Sequence, residues 1–250
     1  MYVLKIGGRQ LDDAMFLDAL AQTVARIRQE QPVVIIHGGG KTIQAWQERL
    51  GLVPHYVEGL RVTDEASLEV VEAVLAGLVN KRLVALLLQA GVNAVGLSGV
   101  DGGLVRVTKM QHPHGDLGRV GEVQEVHVAL LLALLDAGFT PVIAPVSLGQ
   151  DFLTYNVNAD HVARAVAAAL HADRLYFISD VPGVVIDGQP VATLSVHQAE
   201  TWIREGHIHG GMIPKVRSAI TAVETGVRAA VITNLDGLAT GGGTTILKTH

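Results

Sequence analysis

The chain has 250 residues, a net charge of -5, 49% hydrophobic but only 4% aromatic content, 28 glycines and no cysteine. That length can bury a large core, which must be built from Ala, Val, Leu and Ile. The negative balance spares no basic face for nucleic-acid phosphates, and the missing cysteine excludes disulfide scaffolds, Cys-ligated zinc and thiol nucleophiles.

In chain order, "YVLKI" (2–6) reads as a strand that runs into Gly7-Gly8, with no signal-peptide pattern ahead of it. A helical stretch follows to about residue 29. "PVVIIH" (32–37) is a second strand, leading through Gly38-Gly39-Gly40 to a helix near 41–50. Residues 65–91 place Leu68, Val71, Val74, Leu75 and Leu78 at a helical period, with Gly91 as the stop. The uncharged stretch 83–100 has about the length of a bilayer span. Gln89, Asn93, Ser98 and its glycines divide it into a helix end, a turn and a strand, so a soluble cytoplasmic protein is expected. "NAVGLSG" (93–99) and "GLVRVTKM" (103–110) predict a strand and the start of a hairpin-like excursion. "ALLLALLDAG" (129–138) predicts a buried helix ending at Gly138, and "TPVIAPVSL" (140–148) a strand. "ADHVARAVAAALHAD" (159–173) is an Ala-rich helix, and "RLYFISD" (174–180) and "RAAVITN" (228–234) are strands. Strand and helix alternating in this way imply an α/β fold, an open and mainly parallel sheet between helices. Ligands then sit beyond the C-terminal strand ends, where the glycines and Asp180 fall. A soft boundary near 171–175 separates a first lobe, 1–172, from a second, 173–250.

Gly40-Lys41-Thr42 has the ending of a P-loop, but that pattern requires glycine where Ile35 stands. The dinucleotide fingerprint G-x-G-x-x-G is absent as well. What remains is a glycine turn at a helix N-terminus, suited to a carboxylate or phosphoryl oxygen; a tight turn with no ligand is the equal alternative. Lys5, within an apolar strand, needs a partner for its ammonium at the strand end. Arg61 in "EGLRVTD" (58–64) suits bidentate carboxylate recognition. "NVNADH" (156–161) sets Asn156, Asn158 and Asp160 at the start of a helix, where an acid is also favoured by the helix dipole alone. "ISDVPGVVID" (178–187) ends a strand with Asp180 and a Pro-Gly turn, and "HGGMIPKV" (209–216) puts Lys215 beside a glycine pair. His112/His114 and His207/His209 have metal-pair spacing but no third ligand, and read as surface histidines. Trp46 and Trp202 read as packing residues.

Six segments in this order, "KIGG" (5–8), "HGGG" (37–40), "GLRVTD" (59–64), "NVNAD" (156–160), "SDVPGV" (179–184) and "GGMIPKV" (210–216), resemble the amino acid kinase family over essentially the whole chain. "GLRVTD" together with "NVNAD" resembles its acetylglutamate branch rather than the aspartate, carbamate or nucleoside-monophosphate kinases. The resemblance implies an N-terminal lobe that binds the amino acid and a C-terminal lobe that binds ATP, whose γ-phosphoryl group passes to the side-chain carboxylate of N-acetyl-L-glutamate. It implies that Lys5 and Lys215 contact the transferring phosphoryl, with Asp160 paired to both ammonium groups. Gly8 and the Gly38–Gly40 turn would donate backbone N–H groups, while Arg61 and Asn156 hold the α-carboxylate end and Gly39 and Gly40 line the other side. Asp180, Val181, Pro182, Gly183, Val184 and Val185, with His207, Ile208 and His209, match the nucleotide segments. Mg2+ would ride on the ATP phosphates with no dedicated protein metal site. Lys41 stands where the family often has proline, and Arg9 where a small or neutral residue is common.

Three other readings compete. A carrier-linked aminoadipate kinase shares the fold and the chemistry, but a basic rim at the amino-acid mouth would favour it and residues 55–61 offer little such charge. A silent nucleotide-binding protein on the same fold is disfavoured by Lys5, Lys215 and Asp160 together. A NAD-dependent enzyme lacks its fingerprint. In the resembled family, arginine-inhibited members carry a helix ahead of the first strand that links dimers into hexamers. Only Met1 precedes that strand here, so a homodimer insensitive to L-arginine is expected.

Overall fold

The computed structural model describes residues 1–8, 10–186 and 188–248; Arg9, singled out above, lies outside them. Its strands are β1 (Tyr2–Ile6), β2 (Val33–His37), β3 (Tyr56–Val57), β4 (Leu60–Arg61), β5 (Ala94–Gly99), β6 (Val105–Lys109), β7 (Gly121–Val126), β8 (Thr140–Gly149), β9 (Thr154–Asn156), β10 (Arg174–Ile178), β11 (Val185–Ile186), β12 (Gln189–Pro190), β13 (Thr193–Ser195), β14 (Ala229–Thr233) and β15 (Thr244–Leu247). The helices are α1 (Ala14–Ile27), α2 (Gly40–Arg49), α3 (Glu65–Glu72), α4 (Asn80–Gln89), α5 (Ala129–Asp136), α6 (Ala159–Ala169), α7 (Val196–Arg204), α8 (Met212–Glu224) and α9 (Leu235–Thr240).

Eleven strands form one sheet in the order β13-β15-β14-β10-β1-β2-β8-β6-β7, with β5 and β9 also paired to β8. The central strands β14, β10, β1, β2 and β8 are parallel to their neighbours in that run. The antiparallel pairs lie toward the edges: β15 on β14, β7 on β6 and β9 on β8. Every residue of β2 is buried, as a parallel strand covered on both faces requires. The expected lobe boundary falls between α6 and β10, yet the sheet continues across it, because β10 pairs with β1 along its whole length.

Alternation along the strands sorts the core onto two faces. Val3, Val34, Ile36, Leu175 and Phe177 pack with Val162 and Val166 of α6 and Val216 and Ala219 of α8. Leu4, Ile6, Val33, Ile35 and Tyr176 pack on the other face with Leu17, Leu20 and Val24 of α1 and Leu83 and Leu87 of α4. Lys5 has the parity of Val3, so its side chain leaves the sheet on the α6 side.

The long apolar helix predicted over 65–91 is one continuous rod, but its middle, Ala73–Val79, has the wider π geometry. It stops before Gly91, whose φ is +81°. Two expectations are corrected. Helix α5 is not buried: of its residues only Leu131 is, and Leu132 is exposed, because the helix packs on one side only, against β8. Trp46 is not a packing residue; it is exposed, with the Arg49 guanidinium 6.0 Å from its ring. Trp202 is half-buried against the core. No helix among the described residues is long and apolar enough to cross a membrane.

Candidate active site

The chain leaves β1 toward β2 on one side, and β10 lies on the other, so the C-terminal ends of these strands open a crevice at a switch in strand order. Two glycine turns meet there. The nitrogens of Gly39 and Gly40 each lie 3.0 Å from where a Cβ on Gly8 would be, and a Cβ on Gly38 would lie 3.2 Å from the Gly8 nitrogen. Only glycine lets the two backbones come this close.

Helix α2 starts from this contact with Gly39 as its N-cap and no side-chain cap. Helix α8 likewise starts at Gly211 uncapped. The first-turn N–H groups of α2 therefore remain available to an anion, whereas in α8 Met212 N donates to the His209 carbonyl at 3.3 Å, Ile213 N donates to the Gly210 carbonyl at 3.2 Å, and Pro214 has no N–H. Helix α6 differs, since Asn158 Oδ1 accepts from the Asp160 amide at 2.8 Å.

One cavity is lined by Lys5, Gly8, Asp160, Asp180, Val181 and Lys215, among others. Strand parity sends Lys5 toward the first turn of α6, where Nζ lies 2.8 Å from Asp160 Oδ1. Lys215, in the first turn of α8, reaches Asp180 Oδ1 at 3.1 Å. The expectation that Asp160 pairs with both ammonium groups is thus corrected, because Asp180 at the end of β10 meets the second lysine. Gln10 also lines this cavity; an isolated glutamine carries no sequence signal that would have found it.

The second cavity is lined by Gly38, Gly39, Gly40, Tyr56, Arg61, Asn156 and neighbouring apolar residues. Arg61 is buried, and its Nη2 donates to the Gly40 carbonyl at 3.0 Å while Nη1 donates to Gln47 Oε1. Its guanidinium lies 4.8 Å from the Tyr56 ring centroid. Burial pushes the Arg61 pKa down, and the nearby Tyr56 hydroxyl opposes that shift; a guanidinium nonetheless stays charged. Asn156 Nδ2 donates to Thr63 Oγ1 at 3.0 Å, which fixes the amide.

Beneath the glycine turn, His37 is wholly buried and its pKa is lowered to about 4 by desolvation, against a raising hydrogen bond to the Gly38 carbonyl. Asn80 Nδ2 lies 3.2 Å from Nε2, and Nδ1 lies 2.8 Å from the Gly38 oxygen. The amide can only donate, so the neutral imidazole accepts at Nε2 and donates from Nδ1. Asn80 opens α4 directly after the π stretch, which also packs Leu75 over Gly39. Neither His37 nor Asn80 was singled out from sequence, since their pairing spans 43 positions.

The remaining predicted residues lie off both cavities. Pro182 to Val185 continue from the cavity wall, with Val184 N donating to Thr244 Oγ1 at 2.7 Å and Val185 exposed. Ile208 is a core residue, while His207 packs edge-on to Trp202 and His209 is exposed. His112 Nε2 and His114 Nε2 lie 3.3 and 3.2 Å from the Glu58 carboxylate. His114 is exposed, but the His112 side chain is only 10% exposed and is not the surface histidine expected. No group of three or more His, Asp or Glu among the described residues is arranged to hold a metal ion. Lys41 is exposed.

The model of the amino acid kinase family matches residues 1–234. An acetylglutamate kinase of Roseiflexus castenholzii is 52% identical over 237 residues, covering 94% of this chain and 90% of that one. An acetylglutamate kinase of Methanopyrus kandleri is 47% identical over 254 residues, covering 98% and 100%. The solved structure of smu.665 from Streptococcus mutans UA159 superposes with a TM-score of 0.82 at 31% identity, covering 99% of this chain and 98% of that one.

Proposed function

The chain belongs to the amino acid kinase family, and from that premise we propose that it transfers the γ-phosphoryl group of ATP to the side-chain carboxylate of N-acetyl-L-glutamate in the cytoplasm, as a step of arginine synthesis. The observation that carries this reading is the pair of cavities on either side of the Gly8/Gly38–Gly40 contact, one with a buried arginine and the other with two lysines.

A carboxylate is already a nucleophile, so no general base is needed. The obstacle is charge, since an anion must approach a polyanion in line, and catalysis is a matter of positioning and electrostatic stabilisation. In this reading the first lobe holds the amino acid: Arg61 and Asn156 take its α-carboxylate end, and Gly39 and Gly40 line the opposite wall. The second lobe holds the nucleotide along Asp180–Val185 and His207–His209. Lys5 and Lys215 close on the transferring group from the ends of β1 and α8, each aimed by its own carboxylate. Gly8 and the free N–H groups of α2 donate to phosphoryl oxygens, where their dipoles oppose the charge that builds in the transition state.

Two lysines and the uncapped start of α2 fit a polyphosphate. The carboxylates are engaged by the lysines, so Mg2+ would be carried on the nucleotide phosphates and supply further charge neutralisation there. We also propose a homodimer through the α3–α4 rod, because Leu78 and Leu88 on it are about half exposed.

The test is ADP release with a panel of N-acetylglutamate, glutamate, aspartate and aminoadipate derivatives. N-acetylglutamate is expected to give the highest kcat/KM, and preference for another acceptor would overturn the substrate assignment.

A further inference from the structure

We infer that Gln47 is a positioning and specificity residue: it holds Arg61 through a neutral acceptor, so that the whole guanidinium charge stays available to the substrate carboxylate. This rests on the reading that Arg61 receives that carboxylate.

Gln47 lies in α2 and is wholly buried, which is unusual for an amide unless every polar group is satisfied. Its Oε1 accepts from Arg61 Nη1, and its Nε2 donates to Ser67 Oγ at 2.9 Å. Ser67 in turn serves Asp64, the N-cap of α3. The Asp64 carboxylate is held below its usual pKa first by the Ser67 hydroxyl and then by the Ser67 amide, which donates to Oδ1 at 2.8 Å. The relay therefore has one polarity. Asp64 can only accept, so the Ser67 hydroxyl donates to it and Ser67 Oγ accepts from Gln47 Nε2. That leaves Gln47 Oε1 facing the arginine.

The other Arg61 contacts are also uncharged: the Gly40 carbonyl at Nη2 and the face of Tyr56. Among the described residues no carboxylate forms an ion pair with Arg61. A glutamate at position 47 would have nearly the same shape, but it would form a buried ion pair and cancel the charge that the cavity offers. The amide fixes the guanidinium without neutralising it. The sequence gives no hint of this, because Gln47 sits on a helix among exposed polar residues and 14 positions from its partner.

The test compares Gln47→Glu, Gln47→Met and Arg61→Ala, each checked for folding by circular dichroism, on N-acetyl-L-glutamate and on its α-carboxamide analogue. Hydrogen bonds to charged groups contribute about 1.5–3 kcal/mol, which corresponds to roughly 10–100-fold. Gln47→Glu is expected to raise KM for N-acetylglutamate by about that factor, and KM for ATP should stay near wild type. The preference for the acid over the α-amide should collapse with it, an effect that loss of packing alone would not produce. Gln47→Met keeps the volume and removes the acceptor, and should raise KM for the acid severalfold. An acid-to-amide preference in Gln47→Glu equal to wild type would overturn the inference, and so would a wild-type KM in Gln47→Met. If Arg61→Ala itself keeps full affinity for the acid, the placement of the carboxylate site fails instead.

Discussion

Lys5 and Lys215 are aimed by different carboxylates, and that separation sets the expected outcome of deleting each one. Neither removal leaves the other ammonium unpaired, so Lys5→Ala and Lys215→Ala should each lower kcat by roughly 10²–10³, the loss of one transition-state donor. Substrate KM should move far less. Near-wild-type turnover in either folded variant, measured by coupled ADP release, would remove the assigned role. Arg61 is a ground-state contact in the same scheme. Arg61→Ala should weaken N-acetylglutamate binding by ~2–4 kcal/mol and leave ATP affinity nearly intact, as two separate calorimetric titrations would show. His37 gives a pH signature. Its folded pKa of about 4 lies below the ordinary 6.5, so between those values the unfolded chain binds the proton more readily. The stability held by the neutral ring is complete above pH 6.5 and is lost as pH falls toward 4, to a total of about 3 kcal/mol. The stability gap between wild type and His37→Gln in urea melts should therefore narrow from pH 7 to pH 4.5. A gap that stays constant with pH would mean that the ring is not held neutral.

At the scale of elements, the site depends on turns that touch each other. A Cβ on Gly8 would press on backbone nitrogens of the facing turn, and a Cβ on Gly39 would lie 2.5 Å from Leu75 Cδ2, in a side chain with no room to retreat. Gly8→Ala should open the contact between the turns while the core survives. A displacement near 1 Å can cost about 10²-fold, so kcat should fall by about that much with only a small change in Tm. Equal losses of Tm and activity would assign Gly8 to folding instead. The π stretch explains why Leu75 and Asn80 both meet this turn. The extra residue it inserts changes which face of the rod Asn80 occupies, so that Nδ2 reaches the Val142 carbonyl at 2.9 Å as well as His37.

For the whole molecule, the unbroken sheet joins the residues before and after the expected boundary at β1 and β10, so the distance between Lys5 and Lys215 is set by strand spacing and by the placement of α8. The α3–α4 rod presents Leu78 and Leu88 to solvent. A second copy covering this face would give a dimer in light scattering, and Leu78→Glu with Leu88→Glu should shift the mass to that of a monomer. A wild-type monomer would remove the proposed assembly.

Apolar runs and glycine turns were enough to identify the α/β sheet and a crevice at its strand ends, because each signal is local or repeats with the period of its element. Lys5, Arg61, Asn156, Asp160 and Lys215 were named from the ordered motifs of the resembled family, and the fold brings them to the walls of the two cavities. Contacts between distant segments were not legible in that way. That Lys215 meets Asp180 rather than Asp160 depends on where α8 docks beside β10. The relay from Asp64 through Ser67 and Gln47 to Arg61 joins two helices and a strand, and the His37–Asn80 pair needs a π turn that no periodicity announces. Helix α5 and Trp46 were misjudged for the complementary reason. Hydrophobicity tells what a residue would gain by burial, but whether another element arrives to cover it is decided by tertiary packing alone.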